Sequence, residues 1–360
     1  MKLFKGIKIF DHSLYVKDYL RSKNLVGHND IINGGLRFWQ RGTSFASIPH
    51  ATYNADRFRY TKNGTMVHDI TRDTDIPNSD ISYSLKIDCT TADSDIDAGN
   101  YCQLYQAIEG YNFKKYVGNY GVLSFWVKAT KIGTYCVGFR NSISDRSYVA
   151  EYTVNVTDTW EYKIIVIPFD YSDGTWDYAN GAGLYINWTF ASGSTYQTTP
   201  DAWQTGNYIA TFNQVNACDS TDNNIFLAGV KFELGKIATP FIPNDYESEL
   251  VRSMRYYHRK NAESAYIRYG QGVGNGNGGA YIYVQFPVIM RTAPSLSYSG
   301  NLIVFDGTAN TSVTNMSVDQ SSSHCIDLSV TASSSLTAGQ LYQLTSDNNI
   351  TSYIAFDAEL

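Results

Sequence analysis

Charged side chains are scarce in this 360-residue chain: only 17% of residues are Asp, Glu, Lys or Arg, too few to clothe long solvated helices. The net charge is −6, and the densest basic spots, Lys114-Lys115 and Arg255 to Lys260, are short. A surface that tracks phosphates is thereby excluded, and no nucleic-acid partner is expected. Cysteine is sparse and unpatterned. Cys89, Cys102, Cys136, Cys218 and Cys325 are odd in number and include no C-x-x-C, so neither a zinc motif nor a disulfide framework is signalled and no metal is expected. Free buried thiols suit synthesis in a reducing cytoplasm. No apolar run approaches the roughly 18 residues of a membrane span, and "MKLFKGIKIFDHSLYVKDYL" lacks the unbroken apolar core of a signal peptide.

Catalytic signatures are missing too. H-E-x-x-H, G-x-S-x-G and the P-loop do not occur. The histidines at 12, 28, 50, 68, 258 and 324 share no metal-ligand spacing. No catalytic residue and no cofactor are expected, and the chain reads as a non-enzyme. In "TADSDIDAGNY" an EF-hand would require Gly and Glu where Ala98 and Leu104 stand; calcium on a sandwich loop stays open beside a plain acidic turn. Glu109 is a candidate glycosidase acid only loosely, because carboxylate separation is three-dimensional. "GQGVGNGNGG" has no helix pattern after it, so a hairpin tip is expected there instead of a phosphate cradle.

What is abundant is aromatic: 29 Tyr, 17 Phe and 6 Trp, residue types that suit a pleated, half-buried surface. Strand-like runs such as "VLSFWVKA", "EYKIIVIPF" and "NIFLAGVKFEL" are separated by Gly/Asn/Asp/Ser turns. They predict an all-β chain: an antiparallel sandwich, one short helix, and a second, smaller C-terminal β-sandwich. In "VLSFWVKA", Leu123, Phe125 and Val127 alternate with Ser124, Trp126 and Lys128, predicting one buried and one solvated face. The helix is read in "NDYESELVRSMRYYHRK". Asn244 with Glu247 fits a capping box, Tyr246, Leu250 and Met254 mark an apolar face, and late arginines complement the macrodipole. The expected divisions are a docking segment 1–33, a sandwich 34–243, a connecting helix 244–260 and a small β domain 261–360.

Two aromatic loops, "DYSDGTWDYANG" and "SGSTYQTTPDAWQTGNY", set rings among Asp, Asn, Gln and Thr. Sugars stack their C–H faces on such rings while polar neighbours read hydroxyls. Trp176, Tyr178, Tyr196 and Trp203 are the candidate glycan-binding residues; the alternative is that the rings staple long loops onto the sandwich.

The ordered set "FWQRGTSF", "YNADRF", "AGNYCQLYQAIEGYN", "GVLSFWVKA", "GSTYQTTPDAWQTGNY", "AGVKFELGKIATPF" and "YESELVRSMRYY" resembles the jelly-roll domain of bacteriophage tail-fibre and receptor-binding proteins, over about residues 34–260. "FPVIMRTAPSL" and the final "FDAEL" resemble the small β domain that often follows. The resemblance implies a jelly roll like a carbohydrate-binding module, carried on a virion fibre of tail or head that is commonly a homotrimer. Host-surface polysaccharide and other virion proteins are the implied partners, and release by lysis would remove the need for an export signal. A decoration or adaptor protein without a ligand is the alternative reading, and a glycan depolymerase is a further one. No coiled-coil shaft is present, so a short fibre, tip or head subunit is expected.

Independently of the resemblance, alternation in "FWQRGTSF" would bury Phe38 and Gln40 against Trp39 and Arg41, with Gly42 bending the chain. Arg41 is expected to be a structural donor. Pro240 and Pro243 would turn their strand off a sheet edge. The helix would deliver "RYYHR" to a junction, where Tyr256 and Tyr257 pack and Arg255 and Arg259 remain for charged or subunit contacts.

Overall fold

The computed structural model describes residues 28–169 and 173–360, so most of the expected docking segment and the first three residues of one aromatic loop lie outside the described residues. The chain divides into two compact units. The first holds residues to Arg37, Ser44–Thr52 and Phe58–Asn244; the second holds Phe38–Thr43, Tyr53–Arg57 and Asp245–Leu360. A boundary near Asn244 was expected from sequence. The two early stretches that cluster with the second unit were not.

The first unit is an antiparallel β-sandwich. One sheet runs in the order Ser44–Phe45, Val67–Asp73, Ser84–Thr91, Asn224–Leu234, Tyr120–Ala129 and Glu161–Pro168. The other contains, in order, Trp203–Thr205, Arg146–Val154, Gly133–Arg140, Ala182–Ser192, Tyr101–Glu109 and Arg59–Asn63. Large rings fill the space between the sheets. Phe125 of the first meets Trp188 of the second edge-on at 5.9 Å, and Phe139 meets Phe232 at 6.3 Å. Full burial of one such side chain contributes about 3 kcal/mol.

Several local expectations fail for one shared reason, that more of the surface is covered than a two-layer picture assumes. Tyr120–Ala129 does not alternate: Ser124 and Lys128 are buried along with Phe125. The turn at Asn78–Ile81 and the segment Ala238–Phe241 lie beside Trp126 on the outer face, and Lys128 reaches Asp75 while covering the Phe226 ring. Asn224–Leu234 is a central strand paired on both sides, and it ends at Leu234, well before Pro240. The prolines therefore shape the segment after the strand and do not turn it off an edge. Residues 30–33 pack inward, with Ile31 and Ile32 buried and Ile32 exchanging bonds with the Gln106 amide at 2.8 and 2.9 Å.

In the second unit the two layers come largely from one sheet that closes on itself. Arg268–Gly274, Gly279–Gln285, Cys325–Ala332, Asn310–Ser321, Leu302–Phe305 and Leu341–Ser346 form a closed barrel around Ile282, Val284, Leu328, Val304 and Leu344. The glycine run is the tip of its first hairpin, where Asn275 N–H donates to Gly279 O at 2.9 Å. A three-stranded sheet sets Tyr353–Asp357 between Tyr257–Asn261 and Ser295–Ser299.

The helix spans Tyr246–Met254, one residue out of register with the expected capping box: Asp245 is the N-cap and makes no side-chain cap bond. Its buried positions are Glu249 and Ser253, while Tyr246 is half exposed beside Phe38 at 4.9 Å. The spacing-four signal was real but belonged to the preceding residue in each turn; Glu249 tolerates burial because Arg252 pairs with it at 3.0 Å. "RYYHR" does not end the helix either. Tyr257 begins a strand, opposite Asp357.

Residues Phe38–Arg41 are not a strand, and Phe38 and Trp39 are both buried, so the expected alternation is absent. Arg41 donates to Asp357 at 3.0 Å and Glu359 at 3.3 Å. Burial alone would lower its pKa, but the Glu359 and Asp357 carboxylates hold it above its ordinary value.

Candidate functional site

The sandwich's second sheet carries a cavity of about 230 Å³ on its face, lined by His50, Ala51, Arg59, Thr61, Tyr101, Gln103, Tyr105, Arg140, Tyr196, Asn207 and Ile209. Its floor follows from strand periodicity, which sends alternate side chains to one face. In Tyr101–Glu109, Tyr101, Gln103 and Tyr105 share the outer side, while Cys102 and Leu104 go to the core. The register then sets rows across the sheet. Arg59 lies opposite Tyr105 and Tyr105 opposite Asn187; Thr61 lies opposite Gln103 and Gln103 opposite Thr189; Tyr185 lies opposite Arg140. Neighbouring strands thus present guanidinium, phenol and amide groups side by side.

One wall is a crossing loop. Asn187 pairs with Gly138, where a Cβ would stand 2.8 Å from the Cα of Ile209. Only glycine lets the loop cross this closely. Thr189 Oγ1 donates to Ile209 O at 2.7 Å and holds the loop there, which brings Asn207 over the floor. The other wall is Tyr196, on a 3-10 turn at Ser194–Tyr196. Thr195 N–H donates to Ala98 O at 3.0 Å and Ile209 N–H to Tyr196 O at 3.0 Å. The Tyr196 ring meets Tyr101 edge-on at 5.1 Å, and Tyr105 meets Tyr185 edge-on at 5.2 Å.

Arg140 is the electrostatic centre. It donates to Asn187 Oδ1 at 3.0 Å and to Asn207 Oδ1, while Nε is unpartnered and no carboxylate pairs with the group among the described residues. Burial pushes its pKa below the ordinary value, with Tyr105 and Tyr185 opposing. Arg59 donates to Tyr105 Oη at 3.0 Å and to Ala51 O at 3.0 Å. No Asp or Glu lines the cavity among the described residues. Such a surface can stack a sugar ring, read hydroxyls and receive an anionic group.

The four loop aromatics chosen from sequence do not form one cluster. Tyr196 lines the cavity. Trp176 stacks on Phe113 at 5.0 Å and meets Trp203 edge-on at 5.5 Å, while Tyr178 lies parallel to Phe113 at 6.3 Å. Trp203 packs on Tyr148 and Phe169 and donates its indole N–H to Pro168 O. Trp176, Tyr178 and Trp203 therefore form an aromatic assembly around Phe113, with Tyr178 40% exposed.

Arg255, Tyr256, Tyr257 and Arg259 all lie in the second unit. Tyr256 and Tyr257 are buried there; Arg57 stands 3.6 Å from the Tyr256 ring centroid, Arg41 3.5 Å from that of Tyr257 and Arg259 3.7 Å from that of Tyr353. Arg255 accepts at its carbonyl from Arg291 N–H at 2.8 Å. Glu109 is buried at a strand end and does not line the cavity. Asp93, from the acidic turn, accepts from Thr65 N–H at 2.8 Å, and none of that turn's aspartates joins a metal-capable group among the described residues.

The residues missed from sequence are Tyr101, Gln103, Tyr105, Arg59, Arg140 and Asn187. One signal was present: "YCQLY" alternates Tyr, Gln and Tyr with core-bound Cys and Leu. The arginine and asparagine join them only through register.

No known protein family and no curated protein matches the sequence. Among solved structures, the enzymatically active domain of bacteriophage CBA120 tailspike protein 4 is similar at 18% identity and a TM-score of 0.32, over 57% of this chain and 21% of that one. A CBM4 structure is similar at 14% identity and a TM-score of 0.29, over 56% of this chain and 97% of the other. The tandem CBM22 pair from Paenibacillus barcinonensis Xyn10C is similar at 11% identity and a TM-score of 0.30, over 92% and 97%. The chain spans about a fifth of the tailspike's length. Likenesses at this level decide nothing about what this chain binds.

Proposed function

We propose that this chain is a structural component of a bacteriophage virion, a tail or head fibre, that binds a host-surface glycan on the outer face of its second sheet. The observation that carries the binding reading is Arg140, set among Tyr101, Tyr105, Tyr185 and Tyr196 with no carboxylate partner among the described residues. A half-buried guanidinium is poorly solvated and gains most from an anion that arrives with the ligand. The ligand class is therefore an acidic glycan, one whose sugars carry a carboxylate such as a uronate. The cavity's size suits about one ring at a time, with the chain continuing along the sheet. Cleavage by an acid pair would need two carboxylates, and the described lining offers none, which favours retention of the sugar over hydrolysis.

The virion setting is supported by the ordered resemblance of about residues 34–260 to phage fibre proteins, and a homotrimer of 40.3 kDa chains goes with it. Binding is tested with host polysaccharide before and after chemical reduction of its carboxylates. The acidic form should bind and the reduced form should bind at least tenfold more weakly; equal binding would overturn the assignment of an acidic ligand. Electron microscopy of parent particles with this chain labelled tests the setting: label on fibres or the head surface supports it, and label absent from particles rejects it.

A further inference from the structure

Three ligand-bearing side chains that are far apart in sequence meet in the interior of the sandwich, and a fourth, Cys89, lies beside them. The ligand atoms of His68, Cys102 and Cys218 all lie within 4.8 Å of one another, and all three residues are buried. Cys89 is the direct cross-strand partner of His68 and is 3% exposed. Its sulfur lies 3.8 Å from Cys218 O. His68 and Cys89 belong to the first sheet, Cys102 to the second, and Cys218 to the segment before Asn224–Leu234. All five cysteines are free thiols.

From this geometry we propose a structural zinc-class site made of His68, Cys89, Cys102 and Cys218, which ties the two sheets together. Thiolate and imidazole ligands select zinc over calcium or magnesium, which require oxygen donors. Three thiolates and one imidazole are an established donor set for a closed tetrahedral site. Metal–sulfur bonds of about 2.3 Å put tetrahedral ligand atoms about 3.8 Å apart. Cys102 Sγ already stands 3.9 Å from His68 Nδ1, so His68, Cys102 and Cys218 need only a small contraction, and Cys89, outside that trio, would turn in to take the fourth position. Tyr60, fully buried, places its hydroxyl 2.7 Å from His68 Nδ1 and 3.5 Å from Cys102 Sγ. The hydroxyl sits on the same ring nitrogen that faces Cys102, so metal binding through Nδ1 displaces it. With every ligand buried there is no room for substrate, so the role is structural.

Ordinary motif reading cannot find this site. No two of its ligands lie within ten residues of each other, whereas zinc motifs place ligands in close pairs. Three strands and the turn at Cys218 do that work here.

The test uses the full chain, purified without chelator under reducing conditions. Elemental analysis should find about one zinc per chain. Replacing it with cobalt should give the thiolate-to-metal charge-transfer band and strong visible absorption of a tetrahedral thiolate site. Stripping the metal should lower Tm by on the order of 10 °C. Cys218→Ser should lose the cobalt spectrum, and Cys325→Ser, in the barrel, should keep it. Should Cys218→Ser fail to fold, the metal content and cobalt spectrum of the unaltered chain decide. Metal-free protein that takes up no cobalt, or a Cys102–Cys218 disulfide in its place, overturns the proposal.

Discussion

Arg140 donates from Nη2 to Asn187 Oδ1 over 3.0 Å, and Asn187 in turn donates from Nδ2 to Gly138 O at 2.9 Å. The guanidinium is thereby fixed to the floor of the sheet before any ligand arrives, and preorganisation of this kind spares the ordering cost at binding. Arg140→Lys keeps a positive charge but loses the planar fork that meets a carboxylate in two bonds. We expect glycan affinity to fall about tenfold, or about 1.4 kcal/mol, with an unchanged far-UV spectrum. Equal affinity would show that the fork is not used.

Tyr196 gives an edge to the cavity wall and is held by backbone bonds of its own turn. Tyr196→Ala should weaken glycan binding by about 1 kcal/mol and barely change stability, as measured by titration beside thermal unfolding.

Trp176 tests the loop aromatics separately. Its ring is committed to Phe113 and Trp203, so Trp176→Ala should lower unfolding free energy by about 2 kcal/mol and leave glycan affinity within twofold. A variant that keeps its stability but loses adsorption would put Trp176 on the ligand surface.

Glu359 receives Arg41 and Arg57, and both Glu359 and Arg57 are almost fully buried. Removing one partner strands charges in a poorly solvated interior, which costs about 3–5 kcal/mol. Glu359→Gln should therefore unfold at markedly lower denaturant concentration. A change below about 1 kcal/mol in chemical denaturation would mean that the arginines find other partners.

His258 predicts a pH dependence. Burial, with Lys260 nearby, lowers its pKa from 6.5 to about 4, and neither ring nitrogen has a hydrogen-bond partner among the described residues. The unfolded chain takes up the proton first as pH falls. The stability tied to the neutral ring is therefore full above about pH 6.5 and is lost as pH falls through about 4. His258→Phe, which can still stack on Phe356, should lose less stability than the parent between pH 7 and pH 5, by on the order of 1–2 kcal/mol. Parallel losses in urea titrations at the two pH values would contradict this.

The sequence was most informative where one strand or one hairpin sufficed. "EYKIIVIPF" and "NIFLAGVKFEL" became strands, the glycine run became a hairpin tip, and the helix began two residues after its expected start, although it stops at Met254, six residues before its expected end. It was least informative where tertiary cover decides exposure. Lys128 and Glu249 are buried against the binary pattern because Asp75 and Arg252 neutralise them, and neither partner is visible as a pattern. The candidate site has the same character. Tyr101, Gln103 and Tyr105 could be grouped by period two, but Arg59, Arg140 and Asn187 reach them only through the pairing of separate strands. The rich loop of Trp176 and Tyr178 drew attention because rings in loops stand out, and in the structure both rings lie against Phe113, a residue distant in sequence.

The decisive measurement is a calorimetric titration of the full chain and of Arg140→Met with a carboxylated host oligosaccharide, each checked for folding by circular dichroism. Saturable binding by the parent, weakened 10- to 100-fold (about 1.4–3 kcal/mol) in a folded Arg140→Met, is the predicted result. Undiminished binding by that variant would contradict the sheet-face site, as would a parent chain that binds no acidic glycan.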